Sequence, residues 1–254
     1  MLHNAAYREL GIPWVYGRHD VVESRLAEVL ANTTAADVGF SLTMPLKETA
    51  LRLSDAFTVR AQRVGGANTL VRRDGQWIAD NTDVDGVVAA VQSALAPGAT
   101  PKSLTILGAG ATARAVAVAA ADLGVSNVVV AARREAPAKA LAAIVSADGI
   151  KVSTVDWAKA GEHLASDVVI STVTAGAADW LHAAVPSSPG MLLDVIYAPW
   201  PTVLAAAWEA RGGVVVPGTR MLLHQAARQI FLMTGVEGPV HSMRAALESV
   251  GAAI

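Results

Sequence analysis

Cysteine is absent from the 254 residues. That excludes disulfides, thiolate zinc sites and a cysteine nucleophile, and it fits a reducing compartment such as the cytoplasm. Charge is also sparse: 20 Lys and Arg stand against 22 Asp and Glu, a formal charge of −2, with no basic stripe. Nucleic acid and anionic membranes are therefore not expected partners. No long hydrophobic run occurs. The most apolar stretch, Ala111 to Val125, is cut by Arg114 and Asp122 and falls short of the roughly 20 residues a membrane span needs. Met1-Leu2-His3-Asn4 does not read as the start of a signal peptide. The six histidines (His3, His19, His163, His182, His224, His241) show no ligand spacing, so no metal site is expected. Internal repeats and low-complexity segments are missing as well. What remains is a chain 53% hydrophobic and 17% charged, suited to a well-packed soluble fold of one large or two smaller α/β domains.

From about residue 104 to 216, short β-branched runs alternate with Ala/Leu-rich helical stretches. Leu104–Leu107, Val128–Ala131, Val168–Ser171, Leu192–Ile196 and Val214–Val216 are near-continuous in apolar character, as a sheet covered on both faces requires. Helices over Ala113–Leu123 and Pro137–Ser146 make these βαβ units, hence a Rossmann-type, doubly wound parallel sheet. The preceding residues differ. Helical patterns at Leu2–Leu10 and Val22–Ala31 flank a strand near Val38–Thr43, and Asp74-Gly75 turns Thr69–Arg72 into Gln76–Ala79. Val84–Leu95 leads through Pro97, Gly98 and Pro101 into the doubly wound region. The closing stretches Met221–Thr234 and Val240–Val250 read as helices without a strand between them. They cannot extend the sheet, so they are expected to pack back on the first domain. The expected division is a smaller α/β domain of 1–82 completed by 221–254, and a nucleotide-binding domain of 83–220, with a cleft between.

The strand at Leu104–Leu107 runs into Gly108-Ala109-Gly110-Ala111-Thr112-Ala113, a GxGxx[GA] pattern that opens a helix. Gly108 makes the tight turn, Gly110 lets backbone approach a pyrophosphate, and Ala113 lets helix pack closely on strand. The helix N-terminus attracts the anion. A plain glycine turn gives the same letters, but strand, glycines, helix and second strand in this order point to a dinucleotide. The second strand ends Ala131-Ala132-Arg133-Arg134 instead of in Asp or Glu. Two cations suit the 2′-phosphate of NADP, and NADP is expected over NAD. The alternative is a solvated basic loop, its charge blunted by Glu135.

Three further segments, each unremarkable alone, precede this loop: Ser41-Leu42-Thr43-Met44-Pro45-Leu46-Lys47, Gly66-Ala67-Asn68-Thr69 and Asp80-Asn81-Thr82-Asp83. After it come Asp194-Val195-Ile196-Tyr197-Ala198-Pro199 and Gly218 to Ala226, the latter containing Met221-Leu222 and Gln225-Ala226. In this order the five motifs resemble the shikimate dehydrogenase family over residues 2 to about 250, both expected domains. The resemblance implies reversible reduction of 3-dehydroshikimate to shikimate with NADP, in aromatic amino-acid biosynthesis, by a monomer or homodimer in the cytoplasm. It assigns Lys47 and Asp83 as the catalytic pair, with Lys47 moving the proton on the reacting oxygen. Thr43, Asn68, Asp83, Tyr197 and Gln225 would contact the substrate hydroxyls. Gly108, Ala109, Gly110, Ala111, Thr112, Ala132, Arg133 and Arg134 would hold NADP, with Ile196 and Gly218 near the nicotinamide. Two alternatives remain open: an NAD-preferring quinate/shikimate dehydrogenase, and an NADP-binding paralogue with impaired catalysis.

The sequence departs from the family pattern twice. Ala111 stands where the family glycine loop has a second consecutive Gly. The family also carries a strand and an S-x-S-P loop just ahead of a helix that starts L-H-N-A-A. The sequence begins at Met1-Leu2-His3-Asn4-Ala5-Ala6, inside that helix. The strand and two serines that grip the substrate carboxylate are thus expected to be lacking, leaving Val38–Leu42 or the segment near Trp14–Tyr16 as an unpaired edge.

Overall fold

Positive φ at both Asp74 (50°) and Gly75 (81°) shapes the two-residue turn that organises the first of two sheets. The computed structural model describes all residues from Met1 to Ile254. Its opening elements are helices α1 (Leu2–Glu9) and α2 (Leu26–Ala31), strand β1 (Gly39–Ser41), helix α3 (Lys47–Leu53), strand β2 (Ala56–Phe57) and helix α4 (Val59–Val64). The hairpin of β3 (Thr69–Arg73) and β4 (Gln76–Asp80) follows. The sheet order is β1-β3-β4-β2. Its register decides where the site forms. Ser41, at the end of β1, pairs with Thr69 at the start of β3, and Thr69 pairs with Asp80 at the end of β4. The loops carrying Thr43 to Lys47, Gly66 to Asn68, and Asn81 to Asp83 therefore leave the sheet at one edge. The Trp14–Tyr16 segment is a loop, tied to α1 by Asn4, whose side chain accepts from the Tyr16 amide at 2.7 Å and donates to its carbonyl at 3.1 Å.

Helix α5 (Asp83–Gln92) leads into β5 (Ser103–Leu107), α6 (Ala111–Asp122), β6 (Asn127–Ala132), α7 (Glu135–Ser146), β7 (Lys151–Asp156), β8 (Val168–Ser171), β9 (Met191–Asp194), α8 (Val203–Ala210) and β10 (Val214–Pro217). These six strands are all parallel, in the order β10-β9-β8-β5-β6-β7. The doubly wound expectation is met, and both faces are covered by separate apolar clusters, one around α6 and one around Trp208 and Leu204. The order reverses between β5 and β8, and in such sheets ligands bind in the crevice beyond the strand ends at that point. Leu107 pairs with Ala131 and with Ser171, and Ser171 pairs with Asp194. The loops after these residues accordingly share one rim.

Helices α9 (Gly218–Thr234) and α10 (Val240–Glu248) pack against α1, and α9 also against β3. Leu223, Ala226, Ile230, Met243 and Leu247 share a core with Leu2, Ala6 and Tyr7 of α1. Helix α9 also lies against α5: a Cβ on Gly86 would sit 2.7 Å from the Met221 carbonyl, so only glycine permits this approach.

Candidate active site

The hub of the first-sheet edge is Asn68, which is buried. Its amide nitrogen lies 2.9 Å from Asp83 Oδ1, 3.0 Å from Thr82 Oγ1 and 3.1 Å from Gln225 Oε1. Its oxygen accepts from the Thr82 amide and the Thr69 hydroxyl, both at 2.8 Å. Lys47 Nζ donates to Asp83 Oδ2 at 2.6 Å. The Lys47 side chain is 14% exposed and that of Asp83 5%. A pair so shielded is held by its surroundings, unlike a surface ion pair. The backbone fixes its position from both ends. The Ala67 amide donates to the Lys47 carbonyl at 2.8 Å, and the Asp83 amide to Asn81 Oδ1 at 3.2 Å. The Asn81 side chain in turn donates to the Gly66 carbonyl at 2.8 Å.

Lys47, Asn68, Asp83 and Gln225, expected to act together, are thus brought together. Thr43 and Tyr197 stand exposed at the rim, and neither side chain joins this network. Gln229 was not anticipated. It is buried, donates to Thr69 Oγ1 at 3.1 Å, accepts from Ser41 Oγ at 2.8 Å, and lies one turn beyond Gln225 on α9. That i,i+4 spacing of two glutamines on one helix face was the available signal.

Across the rim lies a cleft of about 410 Å³. Gly108, Ala109, Gly110, Ala111 and Thr112 line it together with Ala132, Arg133 and Arg134, all expected cofactor residues. Thr172, Val173 and Thr174 after β8 join them, as do Met44 and Trp157. Met44 comes from the loop that carries Lys47, so the cleft opens toward the lysine–carboxylate pair. Gly108 has φ +106°, and a Cβ there would meet Thr172 Oγ1 at 2.7 Å. At Gly110 a Cβ would meet nothing within 4 Å, leaving open space above the first turn of α6. Amides of a helix's first turn lack intrahelical partners and favour an anion, so this cradle fits a pyrophosphate. The guanidinium groups of Arg133 and Arg134 at its edge fit a further phosphate. Gly218 packs so tightly on the loop after β9 that a Cβ would lie 2.2 Å from the Val195 carbonyl, which puts it beside Ile196. Three ion pairs join helices α3 and α4 beside the first sheet to the second: Arg114 donates to Glu48 at 2.6 Å, Arg60 lies 3.8 Å from Asp122, and Arg63 donates to Asp148.

A dinucleotide cleft facing a buried lysine–carboxylate pair defines a dinucleotide-dependent oxidoreductase. Three family models match the chain. Residues 1–70 match the shikimate dehydrogenase substrate binding domain, and residues 218–248 the shikimate 5′-dehydrogenase C-terminal domain. Residues 103–195 match a model described as NADP oxidoreductase, coenzyme F420-dependent. A relative named shikimate dehydrogenase (NADP(+)) from Cereibacter sphaeroides is 38% identical over 235 residues, covering 89% of this chain and 83% of its own. The crystal structure of Mycobacterium tuberculosis shikimate dehydrogenase superposes with a TM-score of 0.91 at 40% identity, covering 98% of this chain and 93% of its own. A Thermus thermophilus shikimate 5-dehydrogenase solved with shikimate gives 0.85 at 31% identity, with 98% and 93% covered. The chain belongs to the shikimate dehydrogenase family.

Proposed function

We propose that this protein reversibly reduces 3-dehydroshikimate to shikimate with NADPH. The observation that carries this is the 2.6 Å Lys47–Asp83 pair held in the Asn68–Gln225 network at the mouth of the coenzyme cleft. A polyol carboxylate has several similar hydroxyls, and only a fan of fixed donors and acceptors selects one. Asn68, Asp83 and Gln225 supply that fan, with Thr43 and Tyr197 closing over it from the rim. NADPH, when bound in the cleft, would supply the hydride. Lys47 Nζ gives its proton to the carbonyl oxygen as that oxygen gains charge, and takes it back in the reverse direction. Asp83 Oδ2 holds the ammonium in place for that transfer.

The amides of Gly108 to Thr112 with Ala132, Arg133 and Arg134 would hold the coenzyme, and Ile196 and Gly218 would line its nicotinamide end. The two arginines favour NADP over NAD. We divide the chain into a substrate domain, residues 1–82 with 221–254, and a coenzyme domain, residues 83–220. No helix is long and apolar enough to cross a membrane. A cytoplasmic monomer or homodimer working in aromatic amino-acid biosynthesis suits the reaction and its coenzyme. The test is steady-state oxidation of shikimate and of quinate with NADP and with NAD, followed by absorbance of the reduced coenzyme. Turnover of shikimate with NADP is expected to dominate. Turnover confined to quinate with NAD, or coenzyme binding without turnover, would refute the assignment.

A further inference from the structure

Helix α9 holds Asn68 through two glutamines one turn apart. Gln225 Oε1 takes an N–H of the Asn68 amide at 3.1 Å. Gln229 acts at the other end of the same residue. Its Nε2 lies 3.1 Å from Thr69 Oγ1 and 3.4 Å from the Asn68 main-chain carbonyl, and its Oε1 accepts from Ser41 Oγ at 2.8 Å. The direction of each bond follows from neighbours that have only one role. A main-chain carbonyl can only accept, so the nitrogen of the Gln229 amide, not its oxygen, faces Asn68 and Thr69. The Thr82 main-chain amide can only donate, and the Asp83 carboxylate can only accept. Asn68 therefore keeps Oδ1 toward Thr82 and Nδ2 toward Asp83. The Thr69 hydroxyl lies between the two side-chain amides. It accepts from Gln229, and its single proton goes to Asn68 Oδ1 at 2.8 Å.

A directional relay results. Ser41 donates to Gln229, Gln229 to Thr69, Thr69 to Asn68 and Asn68 to Asp83, which Lys47 meets at its other oxygen. Asn68, Thr69 and Gln229 are 2%, 0% and 3% exposed, so water cannot stand in for a missing member. We propose that Gln229 is a positioning residue for the reduction. Through Thr69 it holds the Asn68 amide with its N–H groups toward Asp83 and the substrate hydroxyl, while touching neither substrate nor coenzyme itself. The inference rests on the reading of the site given above. Methionine at 229 would keep the length and supply no N–H to Thr69.

Steady-state kinetics of Gln229→Met, Asn68→Ala and Gln229→Met/Asn68→Ala test this, with NADP titrated calorimetrically to count competent sites. In Gln229→Met, kcat/KM for shikimate per NADP-binding site should fall about 5- to 150-fold, the factor for one buried polar partner removed. The Kd for NADP should not move. In the Asn68→Ala background the same substitution should bring no further loss, because the residue it acts through is gone. A purely structural role would lower the number of competent sites and leave the rate per site alone. Equal kcat/KM in Gln229→Met and wild type overturns the proposal, as does a double variant slower than Asn68→Ala by the full single factor. If Gln229→Met does not fold, Thr69→Val and Thr69→Ser take its place. The valine should show the loss and the serine, which keeps the hydroxyl, should not; equal rates in the two overturn the proposal. Failure of wild type to oxidise shikimate with NADP would instead sink the reading of the site itself, and it shows before any variant is made.

Discussion

Replacing Lys47 by methionine keeps most of the side-chain length and removes the charge. Two losses should follow, and they can be separated. The first is chemical: a positioned proton donor contributes roughly 10²- to 10⁴-fold, so kcat should fall by that factor. NADPH affinity should barely change, since Lys47 comes from the first-sheet edge and does not line the coenzyme cleft. The second is structural. Asp83, 5% exposed, keeps Asn68 as a partner but loses its counter-charge. Removing one member of a buried ion pair costs about 3–5 kcal/mol. In a chain of this size that lowers Tm by roughly 6–20 °C. Adding Asp83→Asn removes the stranded carboxylate, so Lys47→Met/Asp83→Asn should regain most of the lost stability and none of the lost activity. Initial rates and thermal melts of the two single variants and the double complete the cycle. A Lys47→Met enzyme with most of its kcat would refute the mechanism. A double variant no more stable than Lys47→Met would refute the buried-pair argument.

Arg133→Ala should weaken NADPH binding by roughly 10- to 150-fold, since bonds to charged groups contribute about 1.5–3 kcal/mol, and should leave NADH binding little changed. Equal losses for both coenzymes would show that Arg133 does not read the 2′-phosphate. His3 is buried against Tyr16, its Nε2 without a partner, and burial pushes its pKa from 6.5 down to about 4. The unfolded histidine takes up a proton in that window and the folded one does not, so stability is full above pH 6.5 and falls as pH drops toward 4. The loss from this group is about 3 kcal/mol. Urea unfolding of His3→Leu should show a shallower decline across that range than wild type, and parallel profiles would refute the account.

Strands β5, β6, β8 and β9 were legible because they are largely buried on both faces and so nearly free of polar residues, and β10, at one edge of the sheet, because Val214, Val215 and Val216 make an apolar run. Strand β7 was not. Lys151–Asp156 sits at the edge of the sheet with Lys151, Ser153, Thr154 and Asp156 exposed, and no apolar run marks it. Helices α3 and α4 are too short, at 7 and 6 residues, to display a helical period. The glycine loop and the Arg133-Arg134 tip were local and readable, whereas the Lys47–Asp83 pair was not. Nothing in the spacing of Lys47, Asn68 and Asp83 predicts contact without the register Ser41–Thr69–Asp80, and family resemblance supplied what local pattern could not. Gln229 and Trp157 remained hidden because each looks like an ordinary helix or turn residue until the opposing element is in place.

The return of α9 and α10 to the start of the chain has a consequence for how the protein is made. A ribosome delivers α1 and the first sheet early, but Leu2, Ala6 and Tyr7 wait for Leu223, Ile230 and Met243 before their apolar faces are covered. Asn68 likewise waits for Gln225 and Gln229. The six-stranded sheet, contiguous from Ser103 to Pro217, depends on α9 far less: of its two apolar clusters only the one around α6 draws on that helix, through Met221, so most of it can form as it emerges. The nascent chain therefore carries a largely formed six-stranded sheet beside an unfinished first sheet, with the apolar face of α1 open to water. That face is the natural target for a chaperone, and a transcript cut before residue 218 would leave it open permanently.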